Sequence, residues 1–331
     1  MINIKSMIGR ELEVGLGAEE TRGTKSTTAK WVKNISANIF EKAEHATDEA
    51  TRGVFEDSDG KRVIKKHVEG DVEMPLYANS FGFLAFNLYG SVNTSLVETG
   101  VYDHAFEIEQ SSLAPSLTVF AKDGSVAQKA FKNAHVNTLE LSADMDGYVN
   151  VSVNFLAKEG EADTSNPSYD SDVNFIGKEI TVKVADTEEG LSSATPVCVS
   201  DLSISFDKGL IEKYCLGSFN PNEIYMSKAS IEGSFTKKYE DDIFKALRES
   251  DDAKYMEIKI EGETIEDKSE KTSLTFTFYK IQVTDWDRSG GNDDLVEEEV
   301  NFKAFYNATD NKASKLVIRN TTDKYDPDTS V

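Results

Sequence analysis

The feature of this 331-residue sequence that most restricts its fold is an internal duplication. An alternating segment at 35–42 corresponds to 202–208, and His67–Val72 corresponds to Ser230–Phe235. Further matches follow in the same order, with a smaller difference in residue number between the copies. They are Ala105–Ile108 with Tyr255–Ile258, Leu117–Val119 with Leu274–Phe276, and Val153–Phe155 with Val300–Phe302. A loop of different length in each copy explains the change in this difference. The order of the matches predicts two tandem domains, residues 1–170 and 171–331.

The alternation of apolar and polar residues within each copy predicts β-strands. Val149–Phe155 alternates strictly between apolar and polar residues, and Glu257–Glu261 and Leu274–Phe278 also alternate, as in a sheet with one buried and one wet face. Only six prolines interrupt the chain, so long strands remain unbroken. Trp31–Ala46 fits both a helix and a strand. Because its repeat partner Leu202–Phe206 alternates, we predict a strand.

Short segments with helical spacing follow the Glu-Gly step of each copy, at Tyr77–Leu88 and Tyr239–Leu247. They predict one helix per copy beside the sheets. The polar segment Glu159–Ser168 is typical of a loop or linker, and the tail Asn320–Val331 is expected to be mobile because it has little to bury. Cys198 and Cys215 lie among apolar neighbours, which favours two reduced thiols in the core over a disulfide.

Charge and motifs restrict the function. The 59 acidic and 36 basic side chains give a net charge of −23, which argues against a nucleic-acid clamp, since phosphate binding needs clustered Lys and Arg. A run of 18 apolar residues, as a membrane helix needs, is absent, and so is a secretory signal. The four histidines lack zinc-site spacing, and the stretch from Asp285 resembles a calcium loop but has its Glu one position late. Catalytic and nucleotide-binding motifs are also absent, so we predict no enzyme, metal or cofactor.

A series of short motifs resembles the tail tube, or major tail, proteins of long-tailed bacteriophages over about residues 9–320. The motifs are Gly9-Arg-Glu, Trp31-Val, Arg52-Gly, Val68–Pro75, Gly82–Ala85, Tyr102–Phe106, Pro115–Val119, Val199–Phe206, Leu216–Ser218 and Ile231–Thr236. The resemblance implies a mainly β fold of two tandem β-sandwich or barrel domains, each with one flanking α-helix. It also implies rings that stack into a hollow tube for DNA.

The same resemblance implies the partners and the location of the protein. The expected partners are further copies of the chain in homotrimeric rings, the tape measure, tail tip and terminator proteins, and phage DNA passing through the lumen without specific binding. A membrane is not an expected partner. The protein is expected in the virion tail, after assembly in the host cytoplasm. Two alternatives stay open: a surface or adhesin-type protein with tandem β-sandwiches, and an uncharacterised cytosolic enzyme on a β scaffold.

Candidate lumen residues come from the wet face of the alternating segment Val149–Phe155, in which Asn150, Ser152 and Asn154 are polar. We expect these side chains to border the channel. Glu69, Asp71 and Glu73 are expected beside them on a neighbouring strand.

Overall fold

Long antiparallel strands make up most of the computed structural model, which describes residues 7–50, 53–250 and 252–327. The strands of the first half are β1 (Leu12–Ala18), β2 (Lys30–Val32), β3 (Ser36–Thr47), β4 (Lys61–Pro75), β5 (Gly90–Glu98), β6 (Val101–Ile108), β7 (Leu117–Asp123), β8 (Ala127–Asp144), β9 (Asn150–Ala157) and β10 (Glu159–Ala162). Those of the second half are β11 (Ile180–Ala185), β12 (Val199–Asp207), β13 (Leu210–Lys213), β14 (Glu223–Met226), β15 (Ser230–Lys238), β16 (Lys254–Thr264), β17 (Lys271–Ser289), β18 (Glu297–Ala304) and β19 (Ser314–Asn320). The helices are α1 (Phe81–Tyr89), α2 (Glu188–Ser193) and α3 (Ile243–Glu249).

One antiparallel sheet of eight strands runs through both halves in the order β3-β4-β9-β8-β12-β15-β18-β17. The central pair, β8 and β12, joins the halves with Asp144 opposite Asp201 and Thr138 opposite Asp207. Burial alternates along these strands, for example through β9 and β18. The sheet therefore has one core face and one wet face.

A second layer covers the core face. Because β8 and β17 are 18 and 19 residues long, each takes part in both layers. The first part of β8 pairs with β7 and β10, and β7 leads on to β1 and β2. The first part of β17 pairs with β16 and β19. On the outer side of β16 lies β11, and on the outer side of β19 lie β6 and then β5.

One hydrophobic cluster fills the space between the layers in both halves, and its members include Leu139, Phe155, Ile204 and Phe302. The helices cover its margins unequally. In α1, eight of nine residues are buried, whereas α3 buries only Phe244 and Leu247. The cause is the β5–β6 hairpin, which is inserted after α1 and packs against it.

Matched segments of the two halves occupy similar places in the hydrogen-bonded ladders, but the match of 35–42 with 202–208 is two residues out of register, because Ile39 takes the place of Ile204 and not that of Phe206. Gly70 lies between Ile39 and Phe155, and Gly233 lies between Ile204 and Phe302. Both glycines are required by close approach, since a Cβ would lie 2.4 Å from the Ile39 Cα at Gly70 and 2.5 Å from the Phe302 ring at Gly233. The Glu-Gly step of the repeat is therefore a packing requirement.

The later repeat matches need a correction. By their pairing, β7 and β8 correspond to β16 and β17, because β7 pairs with β1 as β16 pairs with β11. The sequence matched Ala105–Ile108, in β6, with β16, and Leu117–Val119, in β7, with β17. Both matches are displaced by one strand, because the counterpart of β16 is β7 and that of β17 is β8. The inserted β5–β6 hairpin alternates like its neighbours, and pattern alone does not identify it as an insertion.

The mainly β fold is confirmed, as are a strand within Trp31–Ala46 and helices near both predicted positions. Three details are wrong. The loop predicted at Glu159–Ser168 begins with β10, the predicted mobile tail buries Tyr325, and both cysteines are free but exposed. No helix in the described ranges is long and apolar enough to cross a membrane.

Candidate functional site: the polar face of the eight-stranded sheet

The wet side of the eight-stranded sheet, here called the polar face, brings together all six residues predicted from the sequence. Asp71 lies opposite Asn154, and Glu73 lies opposite Ser152. The Asn154 side chain donates a 2.8 Å hydrogen bond to the Asp71 carboxylate. The neighbouring positions of the same two strands hold Glu69 and Asn150. β4 and β9 thus form the predicted neighbouring pair.

Alternation and register extend the polar face across the other six strands. Counted over residues 36–42 of β3, residues 68–75 of β4 and the other six strands of the sheet, its carboxylates are Glu69, Asp71, Glu73, Glu140, Asp144, Asp201, Asp207, Glu232, Asp285, Asp287, Glu297 and Glu299, and its lysines are Lys42, Lys238 and Lys303. Twelve carboxylates against three ammonium groups give a formal charge of −9. Sequence reasoning found the first three carboxylates and missed the rest, because strand order decides which alternating segments share a face.

Cations on or beside the polar face are each held by a carboxylate. Lys303 donates a 2.6 Å hydrogen bond to Glu232, and this hydrogen bond, together with the charge of Lys303, lowers the pKa of that carboxyl. Lys42 forms an ion pair with Glu69. Lys228, from the loop before β15, lies 2.6 Å from the Asp207 carboxylate. These pairs leave an excess of negative charge, with polar groups such as Ser142, Asn150 and Ser234 between them.

The comparison with known proteins agrees with this architecture. The family described as phage tail tube protein matches residues 9–304. The chain belongs to this family. No curated protein matches the chain.

In this tail tube protein a buried polar cluster ties the hairpin of β13 and β14 to the first half. Glu19 is buried and accepts hydrogen bonds from the Ser116 and Thr118 hydroxyls and from the Asn133 N–H. Asn133 also donates to Glu223 of β14. The cluster is therefore part of the support behind the sheet.

Arg22 completes the cluster. Its guanidinium forms a 2.9 Å ion pair with Glu223 and donates to the carbonyls of Ala114 and Ile224. Burial alone would raise the pKa of Glu223, but hydrogen bonds from Arg22 and Asn133 outweigh burial and lower it. Glu223 thus stays charged at the junction of the halves.

The stretch from Asp285, which resembles a calcium loop in sequence, is part of a strand in the tail tube protein. Among residues 7–50, 53–250 and 252–327, His, Cys, Asp and Glu form no group of three suited to holding a metal ion. Asp285 and Asp287, which begin the calcium-like sequence, lie in β17, and their carboxylates accept hydrogen bonds from the N–H groups of Trp286 and Arg288. The sequence shows the acidic motif, but only the structure shows that it lies in a strand, where it pairs with β18.

Proposed function

We propose that this chain is a structural subunit of the phage tail tube and that its polar face lines the channel through which DNA passes. The continuous acidic face of the eight-stranded sheet supports this proposal above all. It is wide, one-sided and backed by a packed core, as the wall of a tube requires. The role is structural and involves no catalytic residue or cofactor.

The electrostatics of the polar face fit a conduit rather than a binding site. Each lysine or arginine that neutralises a phosphate releases counterions and holds the DNA in place. A face with twelve carboxylates and three lysines, two of them paired with Glu69 and Glu232, offers the phosphates no such cluster. DNA then slides along the wall without specific contacts.

The number of chains per ring follows from the duplication. We infer that residues 1–170 and 171–331 are two copies of one tube domain and that three chains close a ring of six domains, the number that the resemblance implies. Three sheets of eight strands give 24 strands. At about 4.8 Å per strand, their circumference is roughly 115 Å and their diameter about 37 Å between backbones, before strand tilt widens it. Two chains give only about 24 Å by the same measure, and side chains from both walls narrow it further.

The assembly proposed here also has partners beyond the ring. The rings stack into a tube in the virion tail after assembly in the host cytoplasm. The tape measure, tail tip and terminator proteins contact the tube, and DNA is present in the lumen only transiently.

The test is a phage carrying Asn150→Lys and Asn154→Lys. Added cations on the polar face are expected to slow DNA release while tubes still assemble. The matched control is Asn93→Lys with Ser95→Lys, two exposed positions of β5 in the other layer. Release kinetics equal to wild type in the first variant, with normal tubes in electron micrographs, would place the polar face outside the channel.

A further inference from the structure

Both ends of the eight-stranded sheet have an unpaired edge. Within the described ranges, β3 pairs only with β4, and Asp285–Ser289 of β17 pair only with β18. Exposed edges of this length invite pairing with another chain unless they are protected. The ends of the sheet therefore have to be matched with a partner.

The β17 edge protects itself with its own side chains. The Asp285 carboxylate accepts the N–H of Trp286 at 2.9 Å, and the Asp287 carboxylate accepts the N–H of Arg288 at 2.7 Å. These are the backbone donors that a strand on the outer side of β17 would use. The Asp287 carboxylate also places negative charge in the path of an approaching strand, whereas the Asp285 carboxylate lies 3.7 Å from the Arg248 guanidinium.

The pairing of β8 with β12 within the chain shows what kind of strand the β17 edge can bind. β8 corresponds to β17, and both strands have a register shift opposite the next strand, between Val136 and Thr138 in β8 and between Val283 and Asp285 in β17. The outer side of β8 at that point holds β12. The strand that corresponds to β12 is β3, since both pair with the strand that carries the close-packed glycine.

We propose that the free edge of β17 pairs with the free edge of β3 of a second copy of this chain, as β8 pairs with β12 within the chain, and that Asp285 and Asp287 cap the β17 edge until that strand arrives. The proposal rests on the proposed function and adds to it the surfaces, the partner and the register. Transferring the β8–β12 register places Asn38 opposite Ser289, Phe40 opposite Asp287, and Lys42 opposite Asp285.

The chemistry of the two edges is complementary in this register. Lys42 faces Asp285, an opposite-charge pair of the kind that stabilises neighbouring strands. On the core side, Ala37 and Ile39 of β3 and Trp286 of β17 are only partly buried where they pack against the hydrophobic core. Pairing of the edges continues the core from one chain to the next and covers these side chains.

Cysteine cross-linking tests the register. Because the Trp286 and Arg288 N–H groups face the new strand, Asn38 and Ser289 form a non-hydrogen-bonded pair, whose Cα atoms lie about 4.5 Å apart and suit a disulfide. The variant Asn38→Cys with Ser289→Cys, in a Cys198→Ser and Cys215→Ser background, is oxidised as purified and after assembly. Covalent species that end at three linked chains are expected. The control Asn38→Cys with Asp285→Cys, four residues out of register on the same face, is expected to link at least tenfold less.

The outcomes separate this proposal from the proposed function. Tubes in which the matched pair fails to link, or links no better than the control, overturn the register while the tube assignment stands. A matched cysteine pair that links in protein that forms no tube under any condition supports the edge pairing and contradicts the tube assignment.

Asp287→Ala is expected to assemble at a lower salt concentration than Asp293→Ala, which removes the same charge from a loop. Equal salt requirements would contradict the capping role.

Discussion

At the scale of single residues, buried titratable groups make the fold sensitive to acid. His135 is fully buried and hydrogen-bonded to the Asn133 side chain. Burial lowers its pKa well below the usual range, and the charges of Arg22 and Lys208 lower it further. The folded chain therefore keeps this imidazole neutral, whereas the unfolded chain takes up a proton below about pH 6.5.

The first prediction concerns the pH dependence of stability. Since the unfolded state binds the extra proton, the free energy of unfolding should fall as the pH drops below about 6.5, by up to about 1.4 kcal/mol per pH unit from His135 alone. His135→Gln keeps a hydrogen-bonding side chain without titration and should flatten this slope between about pH 6.5 and 5. Urea unfolding of the unassembled subunit measures it, with exposed His45→Gln as control. A slope unchanged by His135→Gln would show that other groups cause the acid sensitivity.

At the scale of elements, the C-terminal strand and the residues after it lock the halves together. β19 pairs with β17 of the second half and with β6 of the first. Beyond it, the Tyr325 ring fills the space over α1 that a Cβ at Gly82 would occupy, at only 1.9 Å. The Tyr325 hydroxyl donates to the Asn79 carbonyl and accepts from the Asn320 side chain, both at 2.7 Å.

The second prediction follows from this contact. Tyr325→Ala should lower the free energy of unfolding by about 3–5 kcal/mol, as expected for a buried aromatic side chain. Tyr325→Phe keeps the ring and loses the hydrogen bonds, so about 1 kcal/mol is expected. The control Tyr306→Ala removes a tyrosine that is 55% exposed and should change stability by less than about 0.5 kcal/mol. A shift in the urea midpoint no larger for Tyr325→Ala than for Tyr306→Ala would contradict the locking role.

The sequence predicts elements of this fold better than their partners. Alternation identifies β9, β16 and most of β17 because burial of one sheet face imposes a period of two. The pairing of β19 with β6 joins residues more than 200 positions apart, and a local period carries no information about such a partner. The tail was misjudged for the same reason, since Tyr325 finds its cavity only after distant strands have come together.

The candidate site shows the same division. Alternation predicts the polar face of Glu69–Glu73 and that of Asn150–Asn154 separately, and the structure confirms that the two segments lie side by side. The edge role of Asp285 and Asp287 was not predictable. A run of carboxylates in sequence fits a loop, a cation site or a strand edge equally well, and only the strand order shows that β17 ends the sheet.

At the scale of the whole molecule, charge opposes the assembly that the sheet edges favour. Each chain carries a net charge of −23, of which the polar face contributes −9, and rings bring these faces together around one axis. Salt shortens the range of the repulsion, since the Debye length falls from about 10 Å at 0.1 M to about 3 Å at 1 M. Edge pairing and burial of apolar surface depend less on salt than this repulsion does.

The third prediction is that rising salt drives purified subunits into larger species, measured by light scattering and electron microscopy between low salt and 1 M NaCl. Neutralising the polar face with Glu69→Gln, Asp71→Asn and Glu73→Gln should lower the salt concentration at which assembly begins, because these carboxylates converge in the ring. The control Glu263→Gln, Glu266→Gln and Asp267→Asn removes the same charge from the end of β16 and the turn that follows it, in the other layer. It should shift the salt concentration at which assembly begins by less, since charges outside the channel lie farther from their symmetry mates and are screened already.

Equal shifts in the two variants would mean that total charge, and not its concentration on the polar face, restrains assembly. No larger species at any salt concentration would show that charge is not what keeps the subunits apart.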